Sequence, residues 1–473
     1  ESMKIISVMS SRSLIFSFLF FLILINSLAQ NNTSKRPNFI VILTDDQSWV
    51  GTSFLANPND KRSKSDFYQT PNMERLAKGG MRMTNGYAPA PFCSPTRKSI
   101  LTGLTPAKHE YQKDRENWTN TFRKQMTIPK ILKLADSNYV TAHFGKWDAR
   151  YDNFTPEEMG YDFSDGLTGN NTGGGKNTMV VEGKEVPFKM GESWPKSYDD
   201  PKLIFSITER SNNFIEKQTK RNNPFFLQIS HYAVHLAITY SDKNIDKYSR
   251  VEKGKKHATP EFAAMTEDMD EGIGLLLDKV KSLGIDNNTY IIFLSDNGGR
   301  TSIPIGPKQK IDRNFPLRGG KGSMYEGGLR VPFVIKGPGV SRNSYSDVPV
   351  TGLDILPTFA RLAGYNGPLP KNLDGGNIQN IIHNNGNGKV ERNSPYLIFH
   401  QAANRKPISA LRFGKYKLVK DWRYNKLELF NLSEDIEEKV NLSKKMPNMV
   451  KKLDQALIKF LKDADAETKQ TKT

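Results

Sequence analysis

The only cysteine of the 473-residue sequence lies in the pentapeptide Cys-Ser-Pro-Thr-Arg, residues 93–97, where a loop enters a predicted helix. The N-terminus of a helix favours bound anions, and Arg97 lies one turn beyond Cys93 on the same helix face. The pattern therefore brings a nucleophile and a guanidinium together where an anionic ester could bind. A buried structural cysteine is the alternative interpretation.

Two further segments end buried strands with side chains that carry oxygen. Asp45 and Asp46 follow one long apolar run, and Asp296 and Asn297 follow another. Open α/β sheets bind ligands at the carboxyl ends of their strands, and adjacent carboxylates repel each other unless a cation lies between them. Hard oxygen ligands suit Ca²⁺ or Mg²⁺ rather than zinc. An ordinary pair of capping aspartates is the alternative.

Three other segments combine charged or imidazole side chains with glycines or strand ends. Gly-Lys-Trp-Asp at residues 145–148 follows a predicted strand, another strand leads to His231 and His235, and a glycine-rich run occupies residues 317–328. Glycine lets the backbone approach a ligand closely. Taken singly, each segment could be an ordinary surface or packing feature.

Together these segments resemble the formylglycine-dependent (type I) sulfatases, whose Cys-x-Pro-x-Arg signature is followed here by Ile-Leu-Thr-Gly at residues 100–103. The resemblance covers about residues 37–460. It implies that a dedicated enzyme, a formylglycine-generating enzyme or an anaerobic maturase, oxidises Cys93 to 3-oxoalanine (formylglycine) during export. The hydrated aldehyde would attack the sulfur of a sulfate ester, and the covalent sulfate would leave by elimination.

The resemblance also implies roles for the other site residues. It implies one Ca²⁺ whose ligands are Asp45, Asp46, Cys93, Asp296 and Asn297. It implies that the cations which bind the sulfate and stabilise its charge are Arg97, Lys146 and Lys321. His235 matches the position of the acid that protonates the departing sugar oxygen.

The sequence departs from the family pattern at Asp148. The corresponding family segment reads Gly-Lys-Trp-His. In the family, this histidine is the base that removes a proton from the covalent intermediate, and loss of that proton expels sulfate. A carboxylate can also act as a general base, so Asp148 is a candidate for this role. His143 is a weaker candidate, with a structural strand residue as the alternative, and His231 is interpreted as a rim or packing residue. Three histidines without a motif are predicted to lie at the surface: His109, His257 and His383.

Apolar runs alternate with helix signals along most of the chain. Buried strands are predicted at residues 38–44, 139–144, 224–230 and 290–294, and a long amphipathic helix begins at Pro260. The alternation favours an α/β domain with a largely parallel sheet. The resemblance to sulfatases makes this a large alkaline-phosphatase-like domain, with its mostly parallel central sheet sandwiched by helices.

Shorter predicted strands follow a polar linker at residues 384–387. They indicate a small antiparallel sheet, on which a final helix at residues 449–462 packs. The predicted domains are a signal peptide at residues 1–29, a catalytic domain at 30–384 and a C-terminal subdomain at 385–473.

The N-terminal segment decides the predicted compartment. Lys4 and Arg12 precede an apolar stretch at residues 14–25, and small residues follow up to Ala29. This is the order of a secretory signal, and the stretch is shorter than the ~20 residues of a membrane span. We expect cleavage near Ala29, a secreted or periplasmic mature protein and no stable membrane span in it. An uncleaved membrane anchor is the alternative.

The composition narrows the class of partner. Hydrophobic residues make up 37% of the chain, and its formal net charge is +18. A single cysteine excludes an intramolecular disulfide framework and metal sites with several thiolates. A basic surface favours polyanions, and no nucleic-acid-binding module is visible, so we expect a sulfated polysaccharide or oligosaccharide and no nucleic acid. Two alternatives stay open: a phosphodiester or phosphonate ester hydrolase of the same fold, and a non-catalytic basic glycan-binding protein if Cys93 is unmodified.

Overall fold

A computed structural model of the protein describes the chain from residue 36 to residue 469, with several interruptions. The described residues are 36–114, 118–148, 154–170, 172–173, 178–181, 184–187, 196–303, 309–403 and 406–469. The predicted signal peptide, residues 1–29, lies outside them. Within the described part of the chain, no helix is both long enough and apolar enough to cross a membrane.

Strands and helices alternate along the described chain. The strands are β1 (Asn38–Thr44), β2 (Met81–Met83), β3 (Gly86–Tyr87), β4 (Val140–Gly145), β5 (Phe163–Ser164), β6 (Thr178–Val181), β7 (Lys184–Pro187), β8 (Lys196–Ser197), β9 (Phe225–Ser230), β10 (Thr239–Tyr240), β11 (Thr289–Ser295), β12 (Phe333–Lys336), β13 (Ser344–Ser346), β14 (Val350–Thr351), β15 (Leu397–Gln401), β16 (Ile408–Phe413), β17 (Tyr416–Asp421) and β18 (Lys426–Asn431). The α-helices are α1 (Pro71–Gly79), α2 (Cys93–Thr102), α3 (Trp118–Arg123), α4 (Ile128–Ala135), α5 (Ile204–Lys220), α6 (Asp242–Tyr248), α7 (Pro260–Ser282), α8 (Glu326–Leu329), α9 (Ile355–Leu362), α10 (Gln379–Ile382) and α11 (Pro447–Asp463).

The central sheet has eight strands in the order β13-β2-β12-β11-β1-β9-β4-β5. Strands β11, β1, β9 and β4 are parallel, and Val41 in β1 pairs with both Ile292 and Gln228. β12 runs antiparallel to its two neighbours, β11 and β2. The predicted α/β fold with a mostly parallel central sheet is confirmed.

The apolar sequence of β1 reflects burial on both faces of the sheet. Ile40 and Ile42 pack in a core with side chains of α1, α5 and α7. Phe39, Val41 and Leu43 alternate with them and pack in a second core with side chains of α2, α4 and α9. The sheet is therefore sandwiched between two layers of helices. These helices cover its faces, so a site can form where the strands end.

The C-terminal part of the chain forms a second, antiparallel sheet of four strands, β15 to β18. Helix α11 packs Leu453, Leu457 and Leu461 on one face of it. The other face shares a core with Tyr87 and Leu329 of the larger part. The predicted small antiparallel sheet with one helix is confirmed, while the predicted boundary between the two domains stays a prediction.

Candidate active site

The carboxyl ends of β1, β4 and β11 meet at one edge of the central sheet, and most of the predicted site residues lie there. Asp45 and Asp46 follow β1, Lys146 follows β4, and Asp296 follows β11. Because β11, β1, β9 and β4 are parallel and in register, their ends fall side by side. All four side chains are buried.

Cys93 begins helix α2 and faces the aspartates with a nearly inaccessible thiol. Its Sγ lies 3.4 Å from Asp45 Oδ1 and 3.9 Å from Asp46 Oδ1. The ammonium nitrogen of Lys321 lies 3.4 Å from the same sulfur. Burial, followed by the charges of Asp296 and Asp45, raises the pKa of the thiol well above its usual range. An unmodified thiol at this position is therefore neutral at physiological pH.

Arg97 lies one turn further along α2, and its guanidinium donates hydrogen bonds to two other segments of the protein. Its Nε and Nη2 donate to Asp296 Oδ2 over 3.0 and 2.7 Å. Its Nη1 donates to the carbonyl oxygen of Lys146 over 2.6 Å. Arg97 thus ties the ends of β4 and β11 to the helix that begins at Cys93.

Two lysines bring ammonium groups to the carboxylates. Lys146 Nζ lies 2.6 Å from Asp45 Oδ2, and Lys321 Nζ lies 2.6 Å from Asp46 Oδ1. Burial lowers the pKa of both lysines, but the surrounding negative charge outweighs burial and raises it above the usual range. Although burial raises the pKa of both aspartates, the neighbouring cations hold it below the usual range. All four groups are therefore ionised at neutral pH.

Glycines allow the segments of the site to approach one another closely. At Gly145, which has a φ of +96°, an added Cβ would lie 2.1 Å from the carbonyl oxygen of Ser230. A Cβ on Gly298 would lie 1.9 Å from the carbonyl oxygen of Gly327 in the glycine-rich run. At both glycines, backbone therefore packs directly against backbone. The contact between Gly298 and Gly327 brings the glycine-rich run, which contains Lys321, close to the site.

The donor set of the site fits a hard cation. Asp45, Asp46, Cys93 and Asp296 each offer one ligand atom, and these atoms lie within 4.8 Å of one another. Among the described residues, Asp46 Oδ2 and Asn297 Oδ1 are buried without a hydrogen-bond partner. Burial and the charge of Asp45 raise the pKa of Asp296 to about 6. A divalent cation would bind the two orphaned oxygens and offset the repulsion among the carboxylates.

His235 lies after β9 and faces Asp46. Its Nε2 is 3.8 Å from Asp46 Oδ2, and its Nδ1 contacts the carbonyl oxygen of Leu236. Burial lowers the pKa of His235, and Asp45 and Asp46 oppose this effect. Since Nδ1 must donate to the carbonyl oxygen, Nε2 is the atom that can take up or release a proton.

Asp148 belongs to the same buried charge cluster through Lys146. Its Oδ2 lies 3.5 Å from Lys146 Nζ, and its N–H donates to the carbonyl oxygen of Thr168 over 2.8 Å. Its φ of +61° is rare for a residue other than glycine, and Asp46 shares it with a φ of +60°. Such conformations persist where the surroundings hold them, often at functional sites.

His143, the second candidate base, is a packing residue. Its Nε2 lies 3.0 Å from Ser230 Oγ, and its ring packs edge-on against Trp147 and Tyr161. Burial, followed by the charge of Arg97, lowers its pKa to about 3. The structural interpretation of His143 is therefore the better one.

Two of the three histidines predicted at the surface are buried instead. His109 Nε2 lies 2.8 Å from Ser99 Oγ, and His257 Nδ1 lies 2.9 Å from Ser65 Oγ. Only His383 is exposed as predicted. The prediction failed for His109 and His257 because both rings find hydrogen-bond partners inside the protein, which a sequence without a motif does not indicate.

One charged residue near the site had no signal in the sequence. Lys202 lies in a short 3-10 turn, Pro201–Leu203, and is 3% exposed. Its charge interacts with those of Asp45, Lys146 and Asp46. No strand end or motif marks this lysine, so the sequence does not predict its burial.

The chain is similar to known proteins over most of its length. Residues 37–365 match the family model for sulfatases, and residues 320–464 match that for the C-terminal part of N-sulphoglucosamine sulphohydrolase. The chain is similar to a sulfatase of Formosa agariphila, with 27% identity over 93% of this chain and 90% of the relative. It is also similar to an ulvan-active sulfatase of the same organism, with 26% identity over 76% and 68%. The fold is similar to that of Ps i-CgsB crystallised with k-i-k-neocarrahexaose, with a TM-score of 0.70 and 25% identity over 92% and 94% of the two chains.

Proposed function

Because the chain belongs to the sulfatase family and is a sulfuric ester hydrolase, we propose that it releases inorganic sulfate from a sulfated polysaccharide or oligosaccharide. The observation that carries this proposal is the convergence of residue 93 with carboxylates and two lysines at one sheet edge. The net charge of +18 supports a polyanionic substrate. The similarity to an ulvan-active sulfatase and to a protein crystallised with a neocarrahexaose supports a carbohydrate.

The nucleophile that we propose is formylglycine, made from Cys93 by a formylglycine-generating enzyme or an anaerobic maturase. The support is the Cys-x-Pro-x-Arg motif and the position of this lone cysteine at the start of α2, beside the aspartates. The modification would take place during export, in keeping with the secretory signal that the sequence predicts. The mature protein would then be secreted or periplasmic, after cleavage near Ala29.

The proposed metal is one Ca²⁺, held by Asp45, Asp46, Asp296 and Asn297, with residue 93 completing the set. The support is the two buried oxygens without a partner and the mutual repulsion of the carboxylates. When bound, Ca²⁺ would lower the pKa of the nucleophile and neutralise charge on sulfate oxygens.

The chain's own residues would bind the ester and move its protons. Lys146 and Lys321 would bind the sulfate oxygens and stabilise the charge that develops during transfer. Arg97 would add positive charge and keep Asp296 in place. His235 would give a proton from Nε2 to the departing sugar oxygen, and Asp148 would act as the base that triggers release of sulfate.

The first test is the covalent state of residue 93. Peptide mass spectrometry of protein that releases sulfate should show an aldehyde at residue 93, because a buried neutral thiol is a weak nucleophile. A panel of sulfated glycans and phosphate esters should yield free sulfate and little phosphate. Full activity with only free thiol at residue 93, or release of phosphate without sulfate, would contradict the proposal.

Removal of the metal should lower both activity and stability. A chelator leaves the buried carboxylates in mutual repulsion, so sulfate release should fall and the melting temperature should drop by roughly 5 °C, as expected for loss of a site filled to about 100 times its Kd. Added Ca²⁺ should restore sulfate release, measured in an activity assay, and the melting temperature, measured by calorimetry.

The matched variants for this metal experiment are Asp296→Asn, which should lose the response of the melting temperature to Ca²⁺, and Asp421→Asn, which should keep it. Asp421 pairs with Arg423 away from the site. Zinc or no metal in elemental analysis of the active protein would refute the calcium assignment.

A further inference from the structure

The end of β4, which carries Lys146 to the candidate active site, has a neighbouring strand on one side only. There β9 pairs with β4 as far as Gly145, and the Lys146 N–H donates to the carbonyl oxygen of Ser230 over 2.7 Å. On the other side lies β5, the edge strand of the central sheet, which pairs with only two residues of β4. Because β5 ends before it reaches Gly145 and Trp147, the backbone groups of these residues need other partners.

Two side chains of the segment that follows β5 supply these partners. Asp165 Oδ2 accepts a hydrogen bond from the Gly145 N–H over 2.8 Å. The Thr168 hydroxyl donates to the carbonyl oxygen of Gly145 over 2.5 Å and accepts from the Trp147 N–H over 2.9 Å. The hydroxyl of one threonine thus takes the place of a strand backbone and holds the chain on both sides of Lys146.

These hydrogen bonds bear on two charged side chains of the candidate active site. Lys146 lies between the two backbone groups that the Thr168 hydroxyl holds, and its ammonium nitrogen lies 2.6 Å from Asp45 Oδ2. The N–H of Asp148, whose φ is +61°, donates to the carbonyl oxygen of Thr168. Such a backbone conformation persists where the surrounding contacts hold it. Loss of the hydroxyl would free the backbone beside Lys146 and let the lysine move relative to Asp45.

We propose that Thr168 is a positioning residue, whose hydroxyl fixes the place from which Lys146 binds the sulfate group of the substrate. The inference rests on the proposed function, in which Lys146 binds sulfate oxygens. The attraction of Asp45 alone does not fix this place, because a lysine carries its charge on a flexible stem of four carbons. The hydrogen bonds of Thr168 fix the backbone from which that stem starts. Since a displacement of about 1 Å can slow an enzyme by about 10²-fold, this backbone contact affects catalysis as well as folding.

The first test separates KM from kcat. Thr168→Val removes the hydroxyl and keeps the shape of the side chain. KM for a sulfated glycan should rise by about 5-fold or more, and kcat/KM should fall by about 10- to 100-fold. A purely structural defect would lower the amount of active protein and leave KM unchanged. Thr168→Ser, which keeps the hydroxyl, should restore both constants to within about 3-fold of those of the unsubstituted protein.

Thr289→Val is the matched control, because Thr289 begins β11 at the end of the strand opposite to Asp296. Its hydroxyl makes the same two kinds of hydrogen bond as that of Thr168. It donates to the carbonyl oxygen of Ile285 over 2.7 Å and accepts from Asn38 Nδ2 over 3.2 Å. Thr289→Val should therefore lower the melting temperature and leave KM and kcat unchanged.

Inorganic sulfate tests the same role without turnover. Calorimetry should show that Thr168→Val weakens the binding of inorganic sulfate by about 5-fold or more, whereas Thr168→Ser and Thr289→Val leave it within about 2-fold. An unchanged KM or an unchanged sulfate affinity in Thr168→Val, or equal losses in Thr289→Val, would overturn the inference. Sulfate release by the unsubstituted protein is measured separately. Its absence would contradict the proposed function, while the comparison of sulfate affinities would still report on Thr168.

Discussion

Cys93→Ala should reduce sulfate release by about 10⁵-fold or more, the order of loss seen when an enzyme loses its nucleophile. The sulfur of Cys93 lies within 3.9 Å of both aspartates and of Lys321 at the sheet edge. Without its side chain, Lys146 and Lys321 could still bind a sulfate ester, but no group would attack it. Sulfate release should be measured at saturating substrate, with binding of the same substrate measured by calorimetry.

The fold should survive this substitution. Cys93 is small, and its sulfur contacts charged groups of the site rather than an apolar core, so the melting temperature should change by no more than about 4 °C. Ser94→Ala is the matched control, since it removes one polar atom from the next residue of the same helical turn. The Ser94 hydroxyl is buried and has no hydrogen-bond partner among the described residues. Ser94→Ala should keep activity, and equal losses in both variants would mean that the damage is structural.

The central part of this site could be predicted because its signals are local. The strand β1 is apolar from Phe39 to Leu43 and buried along its whole length, and Asp45 follows it directly. Parallel strands end at a common edge, so carboxylates at two strand ends predict a single site. The helix at Cys93 was equally visible, because Pro95 in its first turn and Gly103 after its end mark both boundaries.

Other elements lack such local signals. Helix α5 begins after two left-handed residues, and the side chain that accepts from the N–H groups of Phe205 and Ser206 belongs to Asp200, outside the usual N-cap position next to Ile204. Its start therefore carries no recognisable N-cap pattern. Strand β12 has only four residues, which is too short for a periodic pattern to identify. The burial of His109 and of Lys202 depends on residues far away in the sequence. The sequence therefore does not predict burial that arises only from contacts between distant segments without a motif.

Asp148→Asn should slow sulfate release by about 10² to 10⁴-fold if Asp148 is the base that expels sulfate. Asparagine keeps the shape of the side chain but cannot take up a proton. The alcohol product would still leave in a first, rapid step, since His235 and residue 93 are unchanged. Rapid-mixing experiments should therefore show a burst of about one equivalent of alcohol, followed by slow turnover, with sulfate retained on the protein.

Asp148→His is the matched variant, because it restores the residue of the family pattern. A histidine has a reference pKa of about 6.5, against 3.9 for an aspartate. A base must be deprotonated to act, so the acidic limb of the pH–rate profile should move to higher pH in Asp148→His. A limb that stays in place would mean that another group, such as His235 through its Nε2, supplies the basic function.

The contact between Asp148 and Lys146 offers an alternative role for Asp148, which is to orient the lysine. The Asp148 carboxylate lies 3.5 Å from Lys146 Nζ, and that ammonium is bound to Asp45. If Asp148 only orients Lys146, then Asp148→Asn weakens the hold on the lysine that binds sulfate. In that case KM for the glycan should rise and kcat should change little, with no burst, because attack and release would both remain possible. The role as a base therefore predicts a lower kcat and a burst of alcohol in Asp148→Asn. The role in orienting Lys146 predicts a higher KM, little change in kcat and no burst.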